Sequence, residues 1–305
     1  MANEFEGSPA HSAEFFGETR DHWYTPDFLP LVASRWRLAE VSAVLDVGSG
    51  AGHWGRALGK VLPSHATVTG VDPEPLWVEK AAQGAARAGY GDRFTFREGR
   101  VEALPFADCS FDLVTCQTVL IHCQDPAAAL REMIRVTRPG GRVAVAEPNN
   151  VAYPLLDPAA LRLPIDDVLA LVRLQLHCER GKTALGEGNV SLGELVPGLF
   201  VELGLEDVSV FQNDRTLTLL PPYRDPAQRA YVEELESGAA REHWMWSRAE
   251  TERYYLAGGG DPVAFGGLWA LAGARHLAMV EEIREGRYCS AGGSVMYMVC
   301  GRRGV

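Results

Sequence analysis

The chain has 305 residues, 47% hydrophobic and 23% charged, enough to bury one large core or two modest ones, which excludes disorder, coiled coil and collagen. Its 29 basic against 40 acidic residues give a formal charge of −11, a field that opposes nonspecific binding to nucleic acid or an anionic membrane and favours small or neutral partners. The N-terminal stretch carries acids and no apolar core of signal-peptide length, and nowhere do about 18 apolar residues run unbroken, so a cytoplasmic protein without a membrane partner is expected. Six cysteines with no CxxC pair are expected as free thiols, and no metal is assigned to them.

In chain order, residues 1–40, with His22-Trp23-Tyr24 and the pattern Phe28, Leu31, Val32, Trp36, read as a helical cap lying against the domain. Residues 43–147 alternate short β-rich runs with helical stretches, the sign of a doubly wound α/β fold with a mostly parallel sheet. Strands are predicted at Ala43–Val47, Thr67–Val71, Phe94–Phe96, Phe111–Cys116 and Arg142–Ala146. Helices are predicted at Gly55–Leu62, Leu76–Ala88 and Pro126–Thr137, with Pro139-Gly140-Gly141 stopping the last and reversing the chain. A leucine-rich helical segment occupies 155–180, and Ser191-Leu192-Gly193-Glu194 has the form of a capping box opening another helix. Further strands are predicted at Val208–Phe211 and Val295–Val299. The roughly seventy residues between them exceed any hairpin, so 221–292 is read as a helical insertion. The core is then 41–220 plus a final strand within 293–305. In the insertion, Gly258-Gly259-Gly260 reads as a hinge and Pro262 restarts a helix.

The chemistry concentrates at strand ends. Asp46 closes the first strand and is followed by Gly48-Ser49-Gly50-Ala51-Gly52, a turn that lets backbone amides approach a ligand at a helix start. Asp72 closes the next strand, placed to accept from both hydroxyls of a ribose. A nicotinamide dinucleotide site normally has GxGxxG with a pyrophosphate at the helix end; the acid before the first glycine here suits an ammonium and repels a pyrophosphate.

This arrangement resembles motif I of the class I S-adenosylmethionine-dependent methyltransferases, and the resemblance extends over about 43–150. Val71-Asp72-Pro73-Glu74-Pro75-Leu76-Trp77 is similar to the family's second-strand segment, which implies ribose binding by Asp72, with Pro73 beside it, and places Trp77 over the adenine. Gly99-Arg100-Val101-Glu102-Ala103-Leu104-Pro105-Phe106 resembles the adenine loop, with Arg100 where the family has an acid, leaving the Val101 amide to reach the adenine edge and Glu102 as a capping or structural acid. Phe111 to Gln117 resembles the fourth-strand motif, which puts Gln117, Thr118 and Val119 in the cofactor shell. His122 falls where some O-methyltransferases carry a base, and where other relatives carry a histidine that only caps a helix. The resemblance implies a seven-stranded sheet, S-adenosyl-L-methionine as cofactor, and methyl transfer to an O or N nucleophile of a small molecule. Substrate contacts are expected from the less familiar parts, with Tyr24, Asn149, His177, Trp244, Tyr254 and Tyr255 as candidates. A tRNA or protein substrate is the first rival reading, opposed by the acidic charge and only three lysines, Lys60, Lys80 and Lys182. A non-catalytic binding protein of the same fold is the second. The insertion is expected either to cover the site as a lid or to form a homodimer contact.

Overall fold

The computed structural model describes residues 17–214, 216–244, 246–292 and 295–305. Seven strands form one sheet in the order β3-β2-β1-β4-β5-β7-β6: β1 (Ala43–Val47), β2 (Thr67–Asp72), β3 (Phe94–Glu98), β4 (Phe111–Gln117), β5 (Thr137–Asn149), β6 (Glu206–Gln212) and β7 (Val295–Arg302). The first five are parallel neighbours, and β7 runs antiparallel between β5 and β6. Helices α2 (His53–Gly59), α3 (Pro75–Arg87) and α4 (Pro126–Val136) connect the parallel strands. The chain winds outward from β1 to β3 and resumes at β4 on the other side of β1, so the order reverses between β1 and β4, where open α/β sheets bind ligands.

Alternation along each strand divides the core. Val44 and Leu113 face α1 (Phe28–Arg35) and α2, packing with Phe28, Val32, Trp36 and Trp54. Leu45, Val47 and Val114 face the other way, toward Leu130, Met133 and Phe200 on α4 and α7 (Val196–Glu202). The N-terminal segment is thus part of one face of the core: Val32 and Trp36 are fully buried, while Leu31, expected on the same stripe, is 43% exposed.

Two local expectations are corrected. The helix before β5 ends at Val136, and Thr137 is already extended; Pro139-Gly140-Gly141 lies inside β5. Gly140 (φ +77°) and a register shift between Phe111 and Leu113 mark a bulge there, its backbone paired with Arg303 rather than reversing the chain. The capping box at Ser191 does not form. Ser191 Oγ instead accepts from the Asn150 and Val151 amides, and Glu194 accepts from Asn149 Nδ2.

The remaining helices are α5 (Tyr153–Leu156), α6 (Ile165–Ala184), α8 (Pro226–Ala240), α9 (Arg248–Ala257) and α10 (Pro262–Arg284). Although 155–180 is read from sequence with the core, α6 packs on α9, both contributing to a cluster of Leu174, Cys178, Tyr254, Tyr255, Phe265 and Trp269. Their backbones touch: a Cβ on Gly181 would sit 1.7 Å from the Tyr254 carbonyl oxygen, and one on Gly258 would sit 1.9 Å from that of His177. Gly258 has φ −84°, so glycine is required there by close approach, and the expected hinge at that residue is a helix–helix contact. By length and apolarity α10 could cross a bilayer (mean hydropathy 1.3); here Phe265, Trp269, Gly273, Val280 and Ile283 are buried in a second helical cap, made of α5, α6, α8, α9 and α10. All six cysteines are free thiols.

Candidate functional site

Three loops meet at the carboxyl ends of β1, β2 and β4. Ser49 N donates to Val71 O (2.9 Å) and Gly50 N to Asp72 Oδ2 (2.9 Å), which fastens the glycine turn to β2. Gly48 has φ +62°, and a Cβ there would fall 2.5 Å from Val119 Cγ2, so the turn can approach the segment after β4 only with glycine at this position. Gly52 opens α2 as its N-cap.

Asp46 is 1% exposed. Its Oδ2 accepts from Gly55 N (3.1 Å), while Oδ1 is buried with no hydrogen-bond partner among the described residues. Burial, with Asp72 adding repulsion, pushes its pKa up to about 7. A buried carboxylate with an open oxygen is what a cationic ligand group would satisfy. Asp72, also 1% exposed, holds Gly50 N on one oxygen and Glu74 N (3.1 Å) on the other.

After β4, Gln117 Nε2 donates to Tyr24 Oη (2.7 Å), and Thr118 takes φ +54°, its amide bonded to Ala146 O and its hydroxyl to Gln117 O. Glu147 organises the next two residues. Fully buried at the end of β5, its Oε1 accepts from the Val119 (3.0 Å) and Leu120 (2.9 Å) amides. Burial raises its pKa to about 7 against the pull of those amides. Sequence reasoning missed Glu147, although it carries the mark that singled out Asp46 and Asp72, an acid closing an apolar strand. Asp21 adds a tie from the N-terminal segment. It accepts from Arg56 Nη2 (3.0 Å) and pairs with His53 Nδ1 (2.7 Å), and these partners outweigh burial to hold it at about 2.

The other expected residues divide. Val101 is buried beside this region; Pro73 is exposed, and Arg100 pairs at 3.5 Å with the exposed Glu102. Trp77 does not face outward over a ligand: it is 3% exposed, with Lys80 Nζ 4.1 Å above its ring, and the solvent-facing apolar residue of that turn is Leu76 at 44%. Tyr24 belongs to the core and meets the site through Gln117. Asn149 caps the next turn through Ala152 N and bonds Glu194. His177 Nδ1 bonds Gly258 O (2.9 Å), Tyr254 Oη donates to Glu187 Oε2 (2.8 Å), and Tyr255 packs on His177 and Phe265, so these three hold the cap together rather than open on a cavity. Trp244 does line one, between α5, α6 and α10. His122 ends a short 3-10 turn, Leu120–His122, is exposed, and has the Gly188 backbone against its own.

The sheet order and strand-end acids define the fold of class I S-adenosylmethionine-dependent methyltransferases. Residues 45–145 match the family model described as a methyltransferase domain. The demethylmenaquinone methyltransferase of Lactiplantibacillus plantarum is 34% identical over 140 residues, 46% of this chain and 57% of that protein. The ubiquinone/menaquinone biosynthesis C-methyltransferase UbiE of Geotalea daltonii is 36% identical over 104 residues, 34% of this chain and 44% of that one. The chain thus spans about half the length of the curated relatives it matches. Among solved structures, the [4+2]-cyclase SpnF has the same fold (TM-score 0.52, 19% identity, 92% of this chain and 81% of that one).

The groups present fit S-adenosylmethionine. The Asp46 oxygen without a partner among the described residues would take its ammonium and Asp72 its ribose.

Proposed function

We propose that the chain is an S-adenosylmethionine-dependent methyltransferase acting on an O or N nucleophile of a small molecule. The observation that carries this is the pair of buried strand-end carboxylates, Asp46 with an open oxygen and Asp72 beside the glycine turn. The cofactor, when bound, supplies an already activated methyl group. The chain therefore chiefly positions an acceptor and excludes water. Glu147 fixes the Val119 and Leu120 amides, holding the segment after β4 against Gly48. His122 is the candidate proton acceptor, and its solvent exposure supports a reaction driven mainly by proximity.

The acidic charge and scarcity of lysine support a small-molecule acceptor over nucleic acid, and a cytoplasmic location goes with this reading. A homodimer through the cap is part of the proposal, supported by Leu161, Ile165 and Leu169, which are 95%, 77% and 52% exposed. The test is incubation with methyl-labelled S-adenosylmethionine and, separately, the small-molecule, tRNA and protein fractions of a cell extract. Label should enter the small-molecule fraction, with the product's linkage distinguishing O and N from the carbon attack named for the Geotalea relative. Label in tRNA or protein alone contradicts the reading.

A further inference from the structure

The cap holds a partly open cavity of about 100 Å3 whose apolar walls are Trp244, Trp246 and Trp269 with Leu171 and Leu174. One side is α5, which begins four residues beyond the end of β5, the strand whose Glu147 fixes the loop after β4. The cavity therefore lies beyond the carboxyl end of β5.

Its polar groups restrict what can enter. Asp157 and Arg275 are the charged residues of the lining, with side chains 9% and 18% exposed, and they form an ion pair with each other. An ionic ligand would have to break that pair and leave one charge buried without a partner. His276 faces the cavity with its ring 4.9 Å from Trp244, and its Nε2 lies 2.9 Å from Leu235 O. A carbonyl oxygen only accepts, so Nε2 carries the proton and Nδ1 of the neutral ring is an acceptor. The lining also carries the Tyr153 hydroxyl, the Thr251 hydroxyl, which donates to Ser247 O, and the Gln175 amide, which donates to Glu179 Oε1. Flat aromatic walls, internally balanced charge and the His276 acceptor describe the complement of a neutral ring with a hydroxyl. A cavity this size admits roughly one ring.

We propose that this cavity binds the methyl acceptor, and that it takes a neutral, single-ring, flat apolar group whose hydroxyl donates to His276 Nδ1. The inference rests on the methyltransferase reading and adds the acceptor's class and its site. Arg275 and Asp157 act as specificity residues against charged analogues, and Ala272 and Met279 on α10 limit the depth.

The test uses p-cresol and its anionic counterpart of similar shape, 4-methylbenzoate, followed by saturation-transfer NMR, with S-adenosylhomocysteine titrated calorimetrically into the same samples. p-Cresol should bind saturably in the millimolar range, about 4 kcal/mol, and 4-methylbenzoate about tenfold or more weakly. Ala272→Phe should lose p-cresol binding while S-adenosylhomocysteine affinity stays within about threefold. Met279→Ala, which enlarges the space without adding bulk, should shift preference toward 2-naphthol. Unchanged p-cresol binding in Ala272→Phe, or equal binding of the anion, overturns the inference. S-adenosylhomocysteine binding without p-cresol binding overturns it and leaves the methyltransferase reading standing. p-Cresol binding in a protein that does not take S-adenosylhomocysteine overturns that reading, and the acceptor role with it.

Discussion

Replacing Asp46 by asparagine should move stability and cofactor affinity in opposite directions. The carboxyl is 1% exposed, and burial raises its pKa from 3.8 to about 7. For a group raised in the folded state, the stabilising contribution is fully present below the unfolded value, near pH 4, and is lost as pH rises through 7. Above that, the ionised Asp46 destabilises the ligand-free protein by up to about 4 kcal/mol. The Asp46→Asn side chain would keep an oxygen for Gly55 N and remove the charge, but it puts an amide where Oδ1 has no partner, which costs about 1–3 kcal/mol. The net expectation for Asp46→Asn at pH 8 is a gain of about 1–3 kcal/mol, a Tm higher by roughly 2–6 °C. At pH 5.5 the parent has already lost about 2 kcal/mol, roughly half of the full cost, so the gain should shrink by about 2 kcal/mol and leave the two proteins level to within about 1 kcal/mol. S-adenosylhomocysteine should bind the variant about 10- to 100-fold more weakly at pH 8, for loss of a charge-assisted bond of about 1.5–3 kcal/mol. Thermal melts and calorimetry at both pH values read all of this. A variant destabilised equally at both pH values, or one with unchanged affinity, refutes the assignment of Asp46 as an uncompensated carboxylate facing the ligand's ammonium.

Asp72→Ala removes two acceptors and frees the Gly50 and Glu74 amides; S-adenosylhomocysteine affinity should fall by about 2–4 kcal/mol, roughly 30- to 1,000-fold, and calorimetry showing less than threefold removes the ribose role. Gly181→Ala forces a methyl into the Tyr254 carbonyl and should cost about 3 kcal/mol or more, whereas an unshifted melt denies the α6–α9 contact. If His122 is a base, His122→Ala should lower turnover about 100-fold with cofactor affinity unchanged; near-parental turnover from about pH 6 to pH 9 makes the residue structural. Hydrogen exchange over 226–284 should slow on adding ligand at fixed protein concentration if these helices form a lid. Protection that follows protein concentration and ignores ligand assigns them to a dimer contact.

How far the sequence discloses the site depends on how local each signal is. The strand-end acids and the glycine turn are contiguous, so Asp46, Gly48, Gly50 and Asp72 come together in the structure as their spacing implies. The sheet order follows from alternating elements and the connection rules. Side-chain direction was less legible: Leu76 and Trp77 are adjacent on α3, and only packing decides that the tryptophan turns inward. Aromatic residues of the insertion read alike in sequence, yet Tyr254 and Tyr255 fall on the α9 face that meets α6, while Trp244 and Trp246 border the cavity. Their roles depend on contacts between segments about seventy residues apart. Glu147 was visible as a strand-end acid, but its function lies in amides from another loop. Ser191 shows the converse, a local capping pattern overridden because the Asn150 and Val151 amides compete for its hydroxyl.

The most direct test of the central claim is titration of the unaltered protein with S-adenosylhomocysteine and, separately, NAD. The strand-end acids and glycine turn predict one-to-one binding of S-adenosylhomocysteine in the micromolar range, about 8 kcal/mol, with no detectable NAD binding. Preferential binding of NAD, or no binding of S-adenosylhomocysteine, would contradict the account.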